Sequence, residues 1–191
     1  MARPGQVITN PRRKETVTFV HTARDSAGKL LEMTVVGAPE LARPPLHVHD
    51  HQEERFLIHS GVLTYQLGNQ VKQARSGDTL TVPAGTPHTW WNAGEVDVEM
   101  VGYLEPALRF ETFIETIYGL TRDGKVSATG RPSLLQAAVI FDEFRNEWAL
   151  AQVPRPVQRI LFPLLAWVGR RRGLRPWYPA YSPDGPVTLP R

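Results

Sequence analysis

Two glycine-bounded blocks constrain the fold of this chain more than any other feature of its sequence. The first reads HVHDHQEERFLIHSG from His47 to Gly61, and the second reads GDTLTVPAGTPHTWWN from Gly77 to Asn92. Short β-prone runs bounded by glycine or proline predict strands joined by turns. Because side chains alternate between the faces of a strand, His47 and the histidine two residues later point to the same face. The blocks therefore predict a small β-structure with histidines gathered on one side.

Three imidazoles and one carboxylate in these blocks are candidate metal ligands: His47, His49, Glu54 and His88. First-row transition metals accept such ligands, and four ligands leave coordination positions for a substrate or dioxygen. We predict one divalent ion, and the ligand types leave its identity open among Fe, Mn, Ni, Co, Cu and Zn. We also expect Glu54 to act as a catalytic base, a role that its position permits.

Several apolar side chains are predicted to share the face of these ligands. Phe56 and Ile58 have the same strand parity as Glu54, and Trp90 has the parity of His88. We predict that Phe56, Ile58 and Trp90 line a substrate pocket. Ordinary core packing explains each of them equally well.

The two blocks resemble the paired motifs of the cupin superfamily. Positions 47, 49, 54 and 61 match G-x5-H-x-H-x3,4-E-x6-G, and positions 77, 83, 85, 88 and 92 match G-x5-P-x-G-x2-H-x3-N. The departure is the opening glycine of the first motif, where this chain has Leu41. The resemblance covers about residues 30–105. It implies a mainly β fold, the double-stranded β-helix or jelly-roll barrel, with a metal in its mouth bound by His47, His49, Glu54 and His88.

Two neighbouring side chains compete with these ligands. Glu53 fits the shorter spacing of the first motif, but only Glu54 keeps six residues before Gly61, so we prefer Glu54. His51 shares the parity of His47 but is expected in the turn that follows, as a solvent-exposed or hydrogen-bonding side chain.

The chain divides into four segments by composition. We predict an N-terminal arm over 1–14 with a short strand at Val7-Ile8, a cupin β-barrel over 15–106, an α-helical extension over 107–172 and an extended proline-rich tail over 173–191. Within the barrel segment, strands are expected at Thr16–Val20, Leu30–Val36, Leu46–His49, Arg55–His59, Val62–Leu67, Thr79–Val82, His88–Asn92 and Val96–Leu104. Helical spacing predicts Leu108–Leu120, Leu134 to about Leu150 after a Ser133 cap, and a stretch from Val157 to Val168 interrupted by Pro163.

The extension raises the question of partners. Its apolar surface is expected to cover the barrel or to form a homodimer interface. The ten apolar residues before Arg170 are too few to span a bilayer. We prefer a helix packed against the barrel or a partner subunit over an interfacial membrane helix, although arginines at its end keep that alternative open.

Charge and cysteine content exclude few functions. Residues 1–110 have a net charge of −1 and residues 111–191 a net charge of +4. Neither part contains a recognisable nucleic-acid-reading element, so we do not expect nucleic-acid binding. The absence of cysteine excludes disulfides and thiolate ligands. We see no signal peptide and expect a cytoplasmic protein.

Two functions remain open at this point. The first is a metal-dependent, dioxygenase-like oxidoreductase acting on an oxygen-bearing small molecule, with an aromatic substrate as one version. The second is a non-catalytic small-molecule-binding or sensor module. The sequence leaves open whether this chain is an enzyme.

Overall fold

The computed structural model describes residues 2–40 and 42–186, in which ten strands are followed by three helices, with one further short strand between the second and third helices. Hydrogen-bonded neighbours are antiparallel in both of its sheets. The strands of the first sheet are β1 (Val7–Asn10), β2 (Glu15–His21), β3 (Leu31–Gly37), β5 (Glu53–Ser60), β8 (Thr79–Val82) and β10 (Val98–Glu105). Those of the second are β4 (His47–Val48), β6 (Val62–Leu67), β7 (Gln70–Arg75), β9 (His88–Trp91) and β11 (Ala149–Leu150). The spatial orders are β1-β2-β3-β10-β5-β8 and β11-β4-β9-β6-β7.

The two sheets share one hydrophobic core, and buried and less buried positions alternate along several strands of the first sheet. Every second residue of β3 is buried, from Leu31 to Gly37, and β5 buries Phe56 and Ile58 on the same face as Glu54. The core cluster joins these residues to side chains of the second sheet. The predicted jelly roll is therefore confirmed, but the predicted closed barrel is not. Within the described residues the strands form two separate sheets rather than a closed cylinder.

Most predicted strands are present with shifted ends. Val62–Leu67 and Thr79–Val82 have the predicted bounds, whereas β7 was not predicted. It is an edge strand with five exposed residues out of six, so it lacks the apolar alternation that marks a strand in the sequence.

The extension contains three helices, α1 (Phe110–Arg122), α2 (Leu134–Glu143) and α3 (Arg155–Arg171). The Ser133 side chain accepts a hydrogen bond from the N–H of Gln136, which confirms the predicted cap of α2. The predicted length of this helix is wrong, since it ends at Glu143 rather than near Leu150. The chain then turns back, and Ala149–Leu150 pair with β4 as the edge strand of the second sheet. The apolar stretch that contains Pro163 lies within α3, which continues through that residue.

The tail packs against α1 instead of extending away from the molecule. Tyr181 is buried, and its hydroxyl donates to the Asp123 carboxylate at 2.5 Å. Residues 187–191 of the predicted tail lie outside the described residues. The described helices include none that is both long and apolar enough to cross a bilayer. The homodimer stays a prediction, which a monomer in light scattering at micromolar concentration would contradict.

Candidate metal centre

The four predicted ligands come together between the two sheets. His47 on β4 is the direct strand partner of His88 on β9, and His49 lies just beyond the end of β4. Glu54 lies on β5 of the other sheet, so the centre joins both sheets. One ligand atom from each side chain lies within 4.8 Å of the others. The four residues are only 2–6% exposed.

Backbone carbonyls determine which ring nitrogen of each histidine carries a proton. The Nδ1 atoms of His47 and His88 lie 2.9 and 2.8 Å from carbonyl oxygens two residues earlier in the chain. The Nδ1 atom of His49 lies 2.5 Å from the carbonyl oxygen of Glu147. Because a carbonyl only accepts, each Nδ1 donates, and Nε2 carries the lone pair of the neutral ring. Partners of this kind orient metal-binding histidines.

One ion pair crosses the centre between the sheets. The Nε2 atom of His88 lies 2.8 Å from Oε2 of Glu54. Burial lowers the pKa of His88, but the hydrogen bond and charge of Glu54 outweigh burial and raise it above its ordinary value. Burial raises the pKa of Glu54, but the hydrogen bond and charge of His88 lower it overall. The pair therefore holds a proton at atoms that a metal cation would compete for.

The other two histidines are held neutral. Burial is the largest cause of the lowered pKa of His47 and of His49, and the charge of His88 adds to it in both. The Nε2 atom of His49 is buried without a hydrogen-bond partner among the described residues. An orphaned buried lone pair is costly unless something binds it. Neutral imidazoles are the form that binds a metal, so this donor set fits a divalent transition metal.

The helical extension closes the centre from the side. The indole of Trp148 stacks on the His47 ring at 5.3 Å between centroids, and Phe110 meets the His49 ring edge-on at 5.3 Å. Both aromatic residues are buried. With the Glu147 carbonyl, the extension thus supplies three contacts to the predicted ligands. None of these residues was singled out in the sequence, because 147 and 148 fell inside a predicted helix.

Arg109 holds this closing segment in place. Its Nε atom donates to the Glu147 carboxylate at 2.8 Å, and its Nη1 atom donates to the Glu143 carboxylate at 2.9 Å. Its Nη2 atom also donates to the backbone carbonyl of Glu143 at 2.6 Å. One guanidinium therefore ties the start of α1 to the segment that contacts His49.

The three predicted pocket residues lie in the hydrophobic core. Phe56, Ile58 and Trp90 are 3%, 1% and 8% exposed, and the Phe56 ring packs edge-on against Trp90 at 5.8 Å. Their place on the same face as Glu54 and His88 agrees with the predicted parity. Their role as pocket walls stays a prediction.

The rejected alternatives lie outside the cluster. Glu53 and His51 are both exposed, whereas Glu54 is buried in the centre. His51 lies in the bend between β4 and β5, as expected.

The remaining motif positions shape turns around the site. Gly61 has φ +75°, and a Cβ atom there would lie 2.4 Å from the Asp97 carbonyl oxygen, so only glycine fits. Gly85 has φ +79° in the turn closed by the bond from Thr86 N–H to the Pro83 carbonyl. Both positions explain why the turns around the ligands carry glycine.

Residues 34–103 match the family model described as a Cupin domain. That range contains all four side chains of the cluster. The match covers the part of the fold from β3 to β10 and excludes the helical extension.

Curated relatives share parts of this chain. The chain is 33% identical over 107 residues to the probable oxidoreductase virH of Hypocrea virens, covering 52% of this chain and 48% of the relative. It is 35% identical over 77 residues to quercetin 2,3-dioxygenase of Bacillus subtilis, covering 40% of this chain and 23% of that enzyme. The chain thus spans about half or less of the length of these relatives.

Among solved structures, a predicted oxalate decarboxylase from Thermotoga maritima has 19% identity and a TM-score of 0.48. The alignment covers 53% of this chain and 90% of that protein.

Proposed function

We propose that this chain, a member of the cupin superfamily over residues 34–103, holds one divalent transition metal and acts as a dioxygenase-like oxidoreductase on a small molecule. The observation that carries the metal is the protonation pattern. Three Nδ1 atoms donate to carbonyls, which leaves the Nε2 lone pairs of His47 and His49 for a metal. The Nε2 atom of His88 would join them as a ligand when the metal displaces the proton that it shares with Glu54. Fe, Mn, Ni, Co, Cu and Zn all accept this set.

Glu54 is proposed to serve both as a ligand and as a base. Its Oε2 atom already faces a ring nitrogen of His88, and the lowered pKa keeps it ionised at neutral pH. A carboxylate in this state accepts a proton from a bound hydroxyl group. When bound, the metal would supply Lewis-acid polarisation of a substrate oxygen and, for a redox-active ion, dioxygen chemistry.

The proposed substrate is an oxygen-bearing and aromatic small molecule. Apolar walls exclude water and favour flat apolar ligands, and we assign that role to Phe56, Ile58 and Trp90 together with Trp148 and Phe110. The relative named as an oxidoreductase supports this class of reaction, and the relative named as quercetin 2,3-dioxygenase supports both the reaction and the substrate class.

Elemental analysis of tag-free protein, purified without chelator and reconstituted with each metal, tests the metal proposal. We expect about one metal per chain in the parent, loss of metal in His49→Ala, and retention of metal in His51→Ala. The second variant is the matched control because His51 is an exposed imidazole two residues away. Circular dichroism checks that both variants are folded. Unchanged metal content in folded His49→Ala would refute the ligand set.

Oxygen uptake then separates an enzyme from a binding module. The metal-loaded protein is expected to consume oxygen with some member of a panel of phenols, flavonols and enediols. Ligand binding to the loaded protein without any product would instead support the sensor function. If the protein binds no metal after reconstitution, both the proposed metal site and the proposed oxidoreductase activity are refuted.

A further inference from the structure

An apolar stripe on α3 faces solvent. Five large side chains on this helix are between 43% and 66% exposed, namely Val157, Ile160, Leu161, Leu164 and Trp167. Their spacing of three and four residues places them on one side of the helix. Scattered exposed apolar residues are ordinary, but a contiguous stripe of five marks an interaction surface.

The stripe is not the face that attaches α3 to the rest of the protein. The helix buries Gln158, Ala166 and Gly169, and a Cβ atom added to Gly169 would lie 2.6 Å from Val139 of α2. Phe162 also lies on the packing side, with its ring 5.9 Å from that of Phe141. The five side chains of the stripe lie on the exposed side. Packing of this stretch against the barrel or a partner subunit stays a prediction, and within the described residues the five side chains of the stripe are left exposed.

The charged side chains of α3 itself are all positive. Residues 155–175 contain six arginines and no acidic residue. Among the described residues, Arg155 and Arg170 form ion pairs with acidic side chains of other segments. Arg159 and Arg172 form none within those ranges, while Arg171 lies over the Trp167 ring at 5.1 Å. The stripe is therefore accompanied by cations available to an anionic partner.

We propose that α3 docks on the surface of an anionic lipid bilayer as an interfacial helix. A large apolar face, arginines and a tryptophan are the features of helices that lie in the plane of the membrane interface. With 17 residues and six arginines in and just after it, the helix lies on the bilayer and does not cross it. Two copies meeting stripe to stripe would bring like charges together, with no acidic residue in either helix to offset them. This proposal is independent of the metal chemistry.

Vesicle binding of the full chain tests the proposal. Cosedimentation with vesicles of phosphatidylcholine containing about one third phosphatidylserine is compared with vesicles of phosphatidylcholine alone. We expect binding to the first at low salt and at least tenfold weaker binding to the second. The variant Ile160→Gln/Leu164→Gln is expected to lose at least tenfold in affinity, because its apolar contact is removed. Arg159→Gln is expected to lose about fivefold at low salt.

Val71→Gln is the matched control, since Val71 is 60% exposed on β7, away from α3. It is expected to bind as the parent does. No binding of the parent to anionic vesicles at low salt overturns the proposal, as does equal binding of the parent and the folded Ile160→Gln/Leu164→Gln variant. A parent dimer that this variant converts to a monomer, without vesicle binding, would assign the stripe to a second copy instead.

Discussion

Replacing Arg109 by methionine should loosen both the helical extension and the predicted ligand His49. The Glu147 side chain is 3% exposed and the Arg109 side chain 23% exposed, so the variant leaves a buried carboxylate without its cation. Removing one partner of a buried ion pair costs about 3–5 kcal/mol. Because Arg109 is partly exposed, we expect the free energy of unfolding to fall by about 3 kcal/mol, the lower end of this range.

The same change should weaken metal binding. The Glu147 carbonyl accepts the Nδ1 proton of His49, and Arg109 holds that segment. Loss of such an orienting contact lowers metal affinity by about 10- to 100-fold. Urea denaturation measures the free energy of unfolding, and chelator competition measures the metal dissociation constant.

Two further variants make the result decisive. Arg109→Met/Glu147→Met removes both charges and should recover at least half of the lost stability. Arg55→Met is the control, because its pair with Glu105 is 42% and 53% exposed and such surface pairs contribute about 0–1 kcal/mol. If Arg109→Met is no worse than Arg55→Met, the guanidinium does not hold the extension. If stability falls while metal affinity is unchanged, the extension does not position His49.

Burial raises the pKa of Glu111 to about 7 from an ordinary value of 4.5. The unfolded chain loses this proton first, so the contribution of Glu111 to stability is highest below about pH 4.5 and falls by about 3 kcal/mol as pH rises to about 7. Glu111→Gln should remove this part of the pH dependence in urea denaturation. Gly85→Ala should cost about 1 kcal/mol through its positive φ alone. Gly61→Ala should cost at least about 2 kcal/mol more, because its Cβ also meets the Asp97 carbonyl; melting curves measure both. Ser133→Ala should lose about 1 kcal/mol, read from urea denaturation, because the cap of α2 is removed.

Each of these predictions has a contradicting outcome. If the stability of Glu111→Gln and of the parent changes with pH in the same way, the raised pKa of Glu111 is refuted. Glu53→Gln is the control, because Glu53 is exposed. Equal losses at the two glycines would mean that the close approach at Gly61 is relieved without cost. A Ser133→Ala variant as stable as the parent would show that the cap bond contributes nothing.

The ligand cluster was predictable because its members lie in two short blocks with fixed spacing. Strand alternation placed His47 and His49 on one face, and the six residues before Gly61 selected Glu54 over Glu53. The structure places these side chains as the spacing requires, with Glu54 buried and Glu53 exposed. Such local rules hold here because β5 buries one side and leaves the other less buried.

Other features had no local signal. β7 is an exposed edge strand, so its sequence carries little apolar alternation. The end of α2 at Glu143 is set by the following chain, which pairs as β11 with β4. A helix that could continue by propensity is ended by tertiary pairing, which outweighs propensity.

Spacing within two short blocks was enough to predict the clustered side chains and the glycine turns that present them, because these depend on residues close together in the chain. The jelly roll followed from the resemblance to cupins, and its division into two sheets came from the fold. Only the tertiary structure decided which groups surround that cluster. The carbonyl that accepts from His49 comes from Glu147, 98 residues later, and the ring that stacks on His47 comes from Trp148. These contacts are long-range, since any carbonyl can accept a proton and any aromatic residue can stack, and only the path of the folded chain selects which one does.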